Sequence, residues 1–104
     1  IKRMKKARTN PIMYPIEKTD WEELRTAIEE RYPAFYMHTH NGKRINETEY
    51  QVCLLVKAGF TPSDIDILLG RNEYAATTRK RLLKKTFNQE GSGKDFDKMI
   101  QELA

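Results

Sequence analysis

The chain has 104 residues, enough for one hydrophobic core, with 38% hydrophobic and 33% charged residues and a formal net charge of +4. Its single cysteine excludes an internal disulfide and suits a reducing compartment, so the expected location is cytoplasmic. No apolar run approaches the roughly 18–20 residues of a membrane span, so no membrane contact is expected of this segment.

Residues 1–18, IKRMKKARTNPIMYPIEK, hold six Lys/Arg against one Glu. They read as a basic arm whose middle is kept extended by Pro11 and Pro15, and such an arm is poorly ordered unless it docks. It is a loose tail, a DNA arm that tracks the backbone, or a linker. The start at Ile1 rather than Met reads as a segment of a longer protein, with the domain proper at residues 19–104.

A first helix is predicted from TDWEEL, where Thr19 caps and Glu22 completes a capping box. Trp21, Leu24, Ile28 and Tyr32 form its apolar stripe, and Pro33 ends it. PAFYMHTHNG supplies a short helical turn closed by Asn41-Gly42. Trp21 and the Phe/Tyr set at 32–36 are expected in the core rather than as a stacking platform for single strands. A second helix starts at Asn46, with Glu49 completing the box. Tyr50, Cys53, Leu54 and Val56 bury one side of it, and Gly59 follows its last turn.

Thr61 caps a third helix, with Pro62 at its first position, Asp64 at its third, and Ile65, Leu68 and Leu69 as its stripe. Gly70 ends it, and Asn72 caps a fourth helix that runs to about Phe87. After NQEGSG, Ser92 caps a last helix with Phe96, Ile100 and Leu103 inside. The fold class is all-α, a small helical bundle of five or six short helices with no strand.

Only Gly70, Arg71 and Asn72 separate the third and fourth helices, the short glycine-containing connection of a helix-turn-helix. Residues 71–85 again hold six Lys/Arg against one Glu, whereas residues 19–70 hold five against nine Asp/Glu. Two basic blocks on an acidic scaffold are the footprint of a polyanion binder; a solvated basic face is the plain alternative. Ala76, Leu83 and Phe87 are expected on the inner face of the fourth helix, with Leu82 and the stem of Lys80 beside them. The opposite face carries Tyr74, Thr77, Thr78, Arg81, Lys84 and Lys85. Such a face suits the major groove: threonine bonds base edges, arginine grips guanine with two bonds, and lysines meet phosphates.

The stretch INETEYQVCLLVKAGFTPSDIDILLGRNEYAATTRKRLLKKTF resembles the LuxR/GerE-type helix-turn-helix. That family has a Thr-x-x-Glu start, an Ala-Gly turn, an Asp/Glu-Ile pair and a Leu-Gly pair, and here Asn46-x-x-Glu49, Ala58-Gly59, Asp64-Ile65 and Leu69-Gly70 stand at those spacings. It looks closest to the C-terminal output domains of Bacteroidetes transcriptional regulators, in which RKRLLKK, a Gly-Ser linker and a last helix like KDFDKMIQEL also occur. The resemblance implies a recognition helix over about 73–87. Tyr74, Thr77, Thr78 and Arg81 would face bases, and Arg71, Lys80, Lys84 and Lys85 phosphates, with Asn72 at the helix start completing the DNA-binding set. Where the family has a small residue in the third helix, this chain has Asp66, expected to reach solvent or pair with Arg79 or Lys80. Glu73 is expected to favour the positive end of the recognition helix.

Nothing in the sequence predicts catalysis, a cofactor or a metal. His38 and His40 lack a third ligand, and Cys53 sits in an apolar stripe with no histidine spaced to serve it. The carboxylates show no acid–base pairing, and no glycine-rich phosphate loop occurs. The expected function is therefore sequence-specific binding of double-stranded DNA by a non-enzymatic transcriptional regulator that works as a homodimer, with RNA polymerase as a further candidate partner. The alternative is a non-catalytic protein-interaction module on the same scaffold that does not bind DNA.

Overall fold

Val52, Cys53, Leu54, Leu55 and Val56 follow one another in the chain and are all buried, so the helix that carries them has no outer face along this stretch. The computed structural model, which describes residues 2–104, arranges the other helices around it. In chain order these are α1 (Lys2–Thr9), α2 (Lys18–Arg31), α3 (Pro33–His40), α4 (Glu47–Lys57), α5 (Pro62–Leu69), α6 (Tyr74–Arg81) and α7 (Gly93–Glu102). A π-helical turn, Leu82–Thr86, continues α6, and the Phe87 N–H closes it on the Leu82 carbonyl at 3.0 Å. The described residues form seven helices and no strand, not five or six helices: α1 is additional, and the turn after Pro33 is a full helix.

The central helix is α4. The expected one-sided stripe gives way to burial all round, because α2, α6 and α7 all pack on it. Phe96 and Ile100 of α7 are fully buried in the same core as Phe35, Leu24, Ile65 and Leu83. Tyr36, expected among the core aromatics, is instead 42% exposed and stacks on His40 with ring centres 4.1 Å apart.

Three helices begin where their caps predict. Asn46 and Glu49 exchange side-chain-to-backbone bonds of 2.9 and 2.8 Å at the start of α4. Thr61 and Asp64 do the same at 3.2 Å for α5, and Asp95 accepts the Ser92 N–H at 2.7 Å for α7. The start of α2 is different: Glu17, not Thr19, holds the cap position, and Asp20 accepts the Glu17 N–H at 2.8 Å. The cause is remote in sequence. Arg3 donates to Asp20 at 2.9 Å and to Glu17 at 3.3 Å, and so gathers both carboxylates at this helix end.

That arginine belongs to the expected arm, which is not a loose tail. Ile1 lies outside the described residues, but residues 2–9 form α1, with Met4 and Ala7 buried three residues apart against α5. Helices shorter than about 12 residues are marginal in isolation, so docking makes this one: burying a methionine contributes about 1.5–3 kcal/mol. Arg8 adds an ion pair with Asp64 at 3.3 Å. No helix among the described residues is long and apolar enough to cross a membrane.

Candidate nucleic-acid interface

The connection between α5 and α6 comprises residues 70–73. Gly70 takes φ +64, a left-handed conformation that glycine adopts without steric cost, and ends α5. The Arg71 N–H then donates to the Asp66 carbonyl at 3.0 Å, which turns the chain back. Asp66 does a second job. Its Oδ1 accepts the Ala75 N–H at 2.8 Å, so a carboxylate of α5 fastens the first turn of α6. Asp66 stays partly exposed, one of the two outcomes expected of it, and the other, a pairing with Arg79 or Lys80, is not made, because the N–H groups at a helix start, with their partial positive charge, hold the carboxylate instead. Asn72 is exposed in the turn and does not cap. Glu73 holds the cap position at φ +54 and makes no side-chain cap bond.

Around α6 the residues sort into two stripes. Ala75, Thr78, Arg79, Leu82 and Leu83 are buried, at the i, i+3, i+4, i+7, i+8 spacing of one helix face. Ala76, Thr77, Lys80, Arg81, Lys84 and Lys85 are exposed. Two expectations are corrected. Thr78 is 0% exposed and cannot face a base, and Ala76 points outward rather than into the core. The inner stripe starts at Ala75, one residue earlier than the sequence suggested, because Asp66 anchors the helix there.

The remaining candidates stand outside. Thr77 is exposed and donates its hydroxyl to the Glu73 carbonyl at 2.8 Å, so that its oxygen keeps acceptor capacity alone. Tyr74 is half-buried, with the Arg71 guanidinium 4.7 Å from its ring centre. Lys80, Lys84 and Lys85 form no ion pair among the described residues. Arg81 is engaged: it donates to Glu49 of α4 at 2.9 Å, with 44% of its side chain still exposed. Arg71, Asn72, Tyr74, Thr77, Lys80, Arg81, Lys84 and Lys85 therefore lie together on one helix and its leading turn, and Thr78 leaves the set.

Sequence reasoning missed what holds this helix from behind. Arg79 is 7% exposed, and its guanidinium pairs with Asp97 of α7 and donates to the Gly93 carbonyl at 2.9 Å. A Cβ at residue 93 would stand 2.7 Å from this guanidinium, so the glycine is what lets the arginine lie against α7. No signal in the basic run separates Arg79 from its neighbours except its place in the 75–79–82 stripe.

Burial pushes the Cys53 thiol up to about 12, with the Glu49 charge adding to the effect. No group of three His, Cys, Asp or Glu side chains among the described residues is placed to hold a metal ion. Comparison with protein-family models, curated proteins and solved structures returns no match.

Proposed function

We propose that this chain is a sequence-specific DNA-binding domain of a LuxR/GerE-like transcriptional regulator, without catalytic activity, that lays α6 in the major groove. The observation that carries the reading is the outer stripe of α6. It joins hydrogen-bonding side chains near the helix start, Tyr74 and Thr77, to unpaired cations further along, Lys80, Lys84 and Lys85. Base edges are read by the first kind of group and phosphates are met by the second. The sequence resemblance over residues 45–87 supports the same reading.

Phosphate contacts from the cationic residues supply most of the affinity in this view, and Tyr74, Thr77 and Arg81 supply the choice of sequence. One domain of this size binds weakly, so two copies act together on half-sites separated by about 34 Å, one helical turn. The test is a titration of the chain on several unrelated duplexes across a range of salt. Neutralising about six phosphates gives a slope of log affinity against log salt near −5. Binding with no salt dependence, or none, ends the reading.

The outer face of α2 keeps a protein-interaction module as the second reading. Glu22, Glu23 and Glu30 are all exposed there, beside Thr19, Thr26 and Ala27 along one shallow depression. A basic partner surface, such as one on RNA polymerase, is the occupant this face fits. The salt titration separates the two readings, because that module binds no duplex.

A further inference from the structure

The basic N-terminal segment divides its cations by type. Arg3 and Arg8 turn toward the scaffold and are consumed there, Arg3 by Asp20, Glu17 and the Pro15 carbonyl, and Arg8 by Asp64. Lys2, Lys5 and Lys6 do not. All three are exposed, and none forms an ion pair among the described residues. Their positions, i, i+3 and i+4, place them on one face of α1, away from the buried Met4 and Ala7. Lys6 is steadied from beside by the Tyr14 ring, 5.6 Å away.

The helix that bears this face rests on α5. In a helix-turn-helix complex the helix before the recognition helix crosses the DNA backbone. With α6 in the groove, a helix riding on α5 would be carried toward the strand beside it. Because α1 is already folded and docked, its lysines lose less conformational freedom on binding than those of a disordered arm would.

We propose that the lysine face of α1 (Lys2, Lys5 and Lys6) is a second DNA-backbone contact, meeting phosphates beyond those met by α6. This rests on the reading of α6 as a groove-binding helix. It assigns the first basic block a sequence-independent part of the affinity, and α6 keeps all of the base readout.

The experiment compares the full chain with K2A/K5A and with a charge-matched control, K94A/K98A on α7. All are titrated on the same duplexes at four or more salt concentrations, with circular dichroism as the check on folding. Alanine keeps helix propensity at residues 2 and 5, and both side chains are free of the core. Loss of two phosphate contacts reduces the salt slope by about 1.8, equally for every duplex, and leaves the order of preference among sequences unchanged. The control pair is expected to change the slope by less than half as much. A K2A/K5A slope equal to that of the unaltered chain overturns the α1 contact while leaving the α6 reading standing. An equal change from the control pair also overturns it, since the effect would then be one of net charge. Absence of duplex binding by the unaltered chain overturns both. Anionic vesicles serve as a final probe: vesicle binding lost in K2A/K5A with duplex binding intact would assign the lysine face to a lipid surface and remove the proposal.

Discussion

Arg81 of α6 donates to one oxygen of Glu49 at 2.9 Å, and the other oxygen of that carboxylate accepts the N–H of Asn46 at the start of α4. One acidic side chain thus closes the cap of the central helix and restrains the arginine best placed to grip a base. Duplex binding has to draw Arg81 away from Glu49 or share it. Glutamine at position 49 keeps the capping box and removes the charge. An exposed ion pair is worth about 0.2–1 kcal/mol, so Glu49→Gln is expected to raise duplex affinity by up to about five-fold with little change in unfolding free energy. Arg81→Ala is expected to cost about 1–3 kcal/mol of binding to the preferred duplex and to flatten the preference. Fluorescence anisotropy on preferred and scrambled duplexes checks both; an affinity unaltered by Glu49→Gln removes the restraint.

Lys84 and Lys85 lie past the last regular turn of α6, in the π-helical turn, and stand exposed while Leu82 and Leu83 are buried. In the proposed complex they are too far along the helix to share base contacts with its start, and lysine acts as a point charge rather than a two-pronged reader. Lys84→Ala with Lys85→Ala is therefore expected to weaken binding to all duplexes by a similar factor and to flatten the salt slope by about two. A loss confined to one sequence would move these lysines from the phosphates to the bases.

Most of the helix boundaries were legible because their causes are local. Asn46, Thr61 and Ser92 each have an acid three residues on, and Gly70 supplies the left-handed stop. The features that were not legible depend on contacts between segments far apart in sequence. Arg3 moves the start of α2 by binding Glu17 and Asp20, and Met4 turns an arm into a helix by finding α5. The inner stripe of α6 includes Leu82, Leu83 and Phe87 as the sequence suggests, but it takes Ala75 and Thr78 in place of Ala76 for the same reason. Thr78 looks like a base-reading residue in a polar run and Arg79 like a partner for Asp66, and only Asp66 and Asp97, brought in from α5 and α7, show that this side faces inward. Of the nine residues singled out in the sequence, Thr78 alone is turned inward, and the other eight lie on the outer stripe or the turn.

Arg79 joins α6 to the core. Its side chain is 8% exposed and that of its partner Asp97 is 26% exposed, and the pair ties α6 to α7. Breaking a buried pair from one side costs about 3–5 kcal/mol. The contact of Asp97 with water puts this one at the lower end, so Arg79→Ala is expected to destabilise the fold by about 3 kcal/mol. Asp97→Ala in the same background is expected to add little, because its partner is already gone. Urea unfolding of the four proteins of the cycle measures this. Additive losses would show that the two side chains act separately.

His38 gives the fold a weak sensitivity to acid. Burial lowers its pKa from 6.5, and the nearby charge of Lys43 lowers it further. Its ring stacks on Phe87, with centres 5.2 Å apart, where the π-helical turn ends. The unfolded chain takes up this proton at a higher pH than the folded one, so stability rises with pH across that interval. It is complete above the unfolded value and is lost as pH falls from about 6.5 toward the folded value. The urea midpoint is expected to drop between pH 7.5 and 5.5, and to drop less in His38→Gln. Equal drops in both proteins would place the sensitivity elsewhere.

Thr78 offers the sharpest check on how α6 is turned. Its hydroxyl is fully buried and has no hydrogen-bond partner. A buried hydroxyl left unpaired costs about 1–3 kcal/mol. Valine has nearly the same shape and the same β-branching, so it fills the site without the polar atom. Thr78→Val is expected to stabilise the fold by about 1 kcal/mol, seen as a higher urea midpoint at unchanged slope, and to leave duplex affinity and preference as they were. In Thr77→Val, by contrast, an exposed hydroxyl on the outer stripe is lost, so stability hardly moves and preference shifts. If Thr78→Val weakened sequence preference and Thr77→Val did not, the side of α6 that bears Thr78 would face the duplex, and the stripe described here would be turned the wrong way.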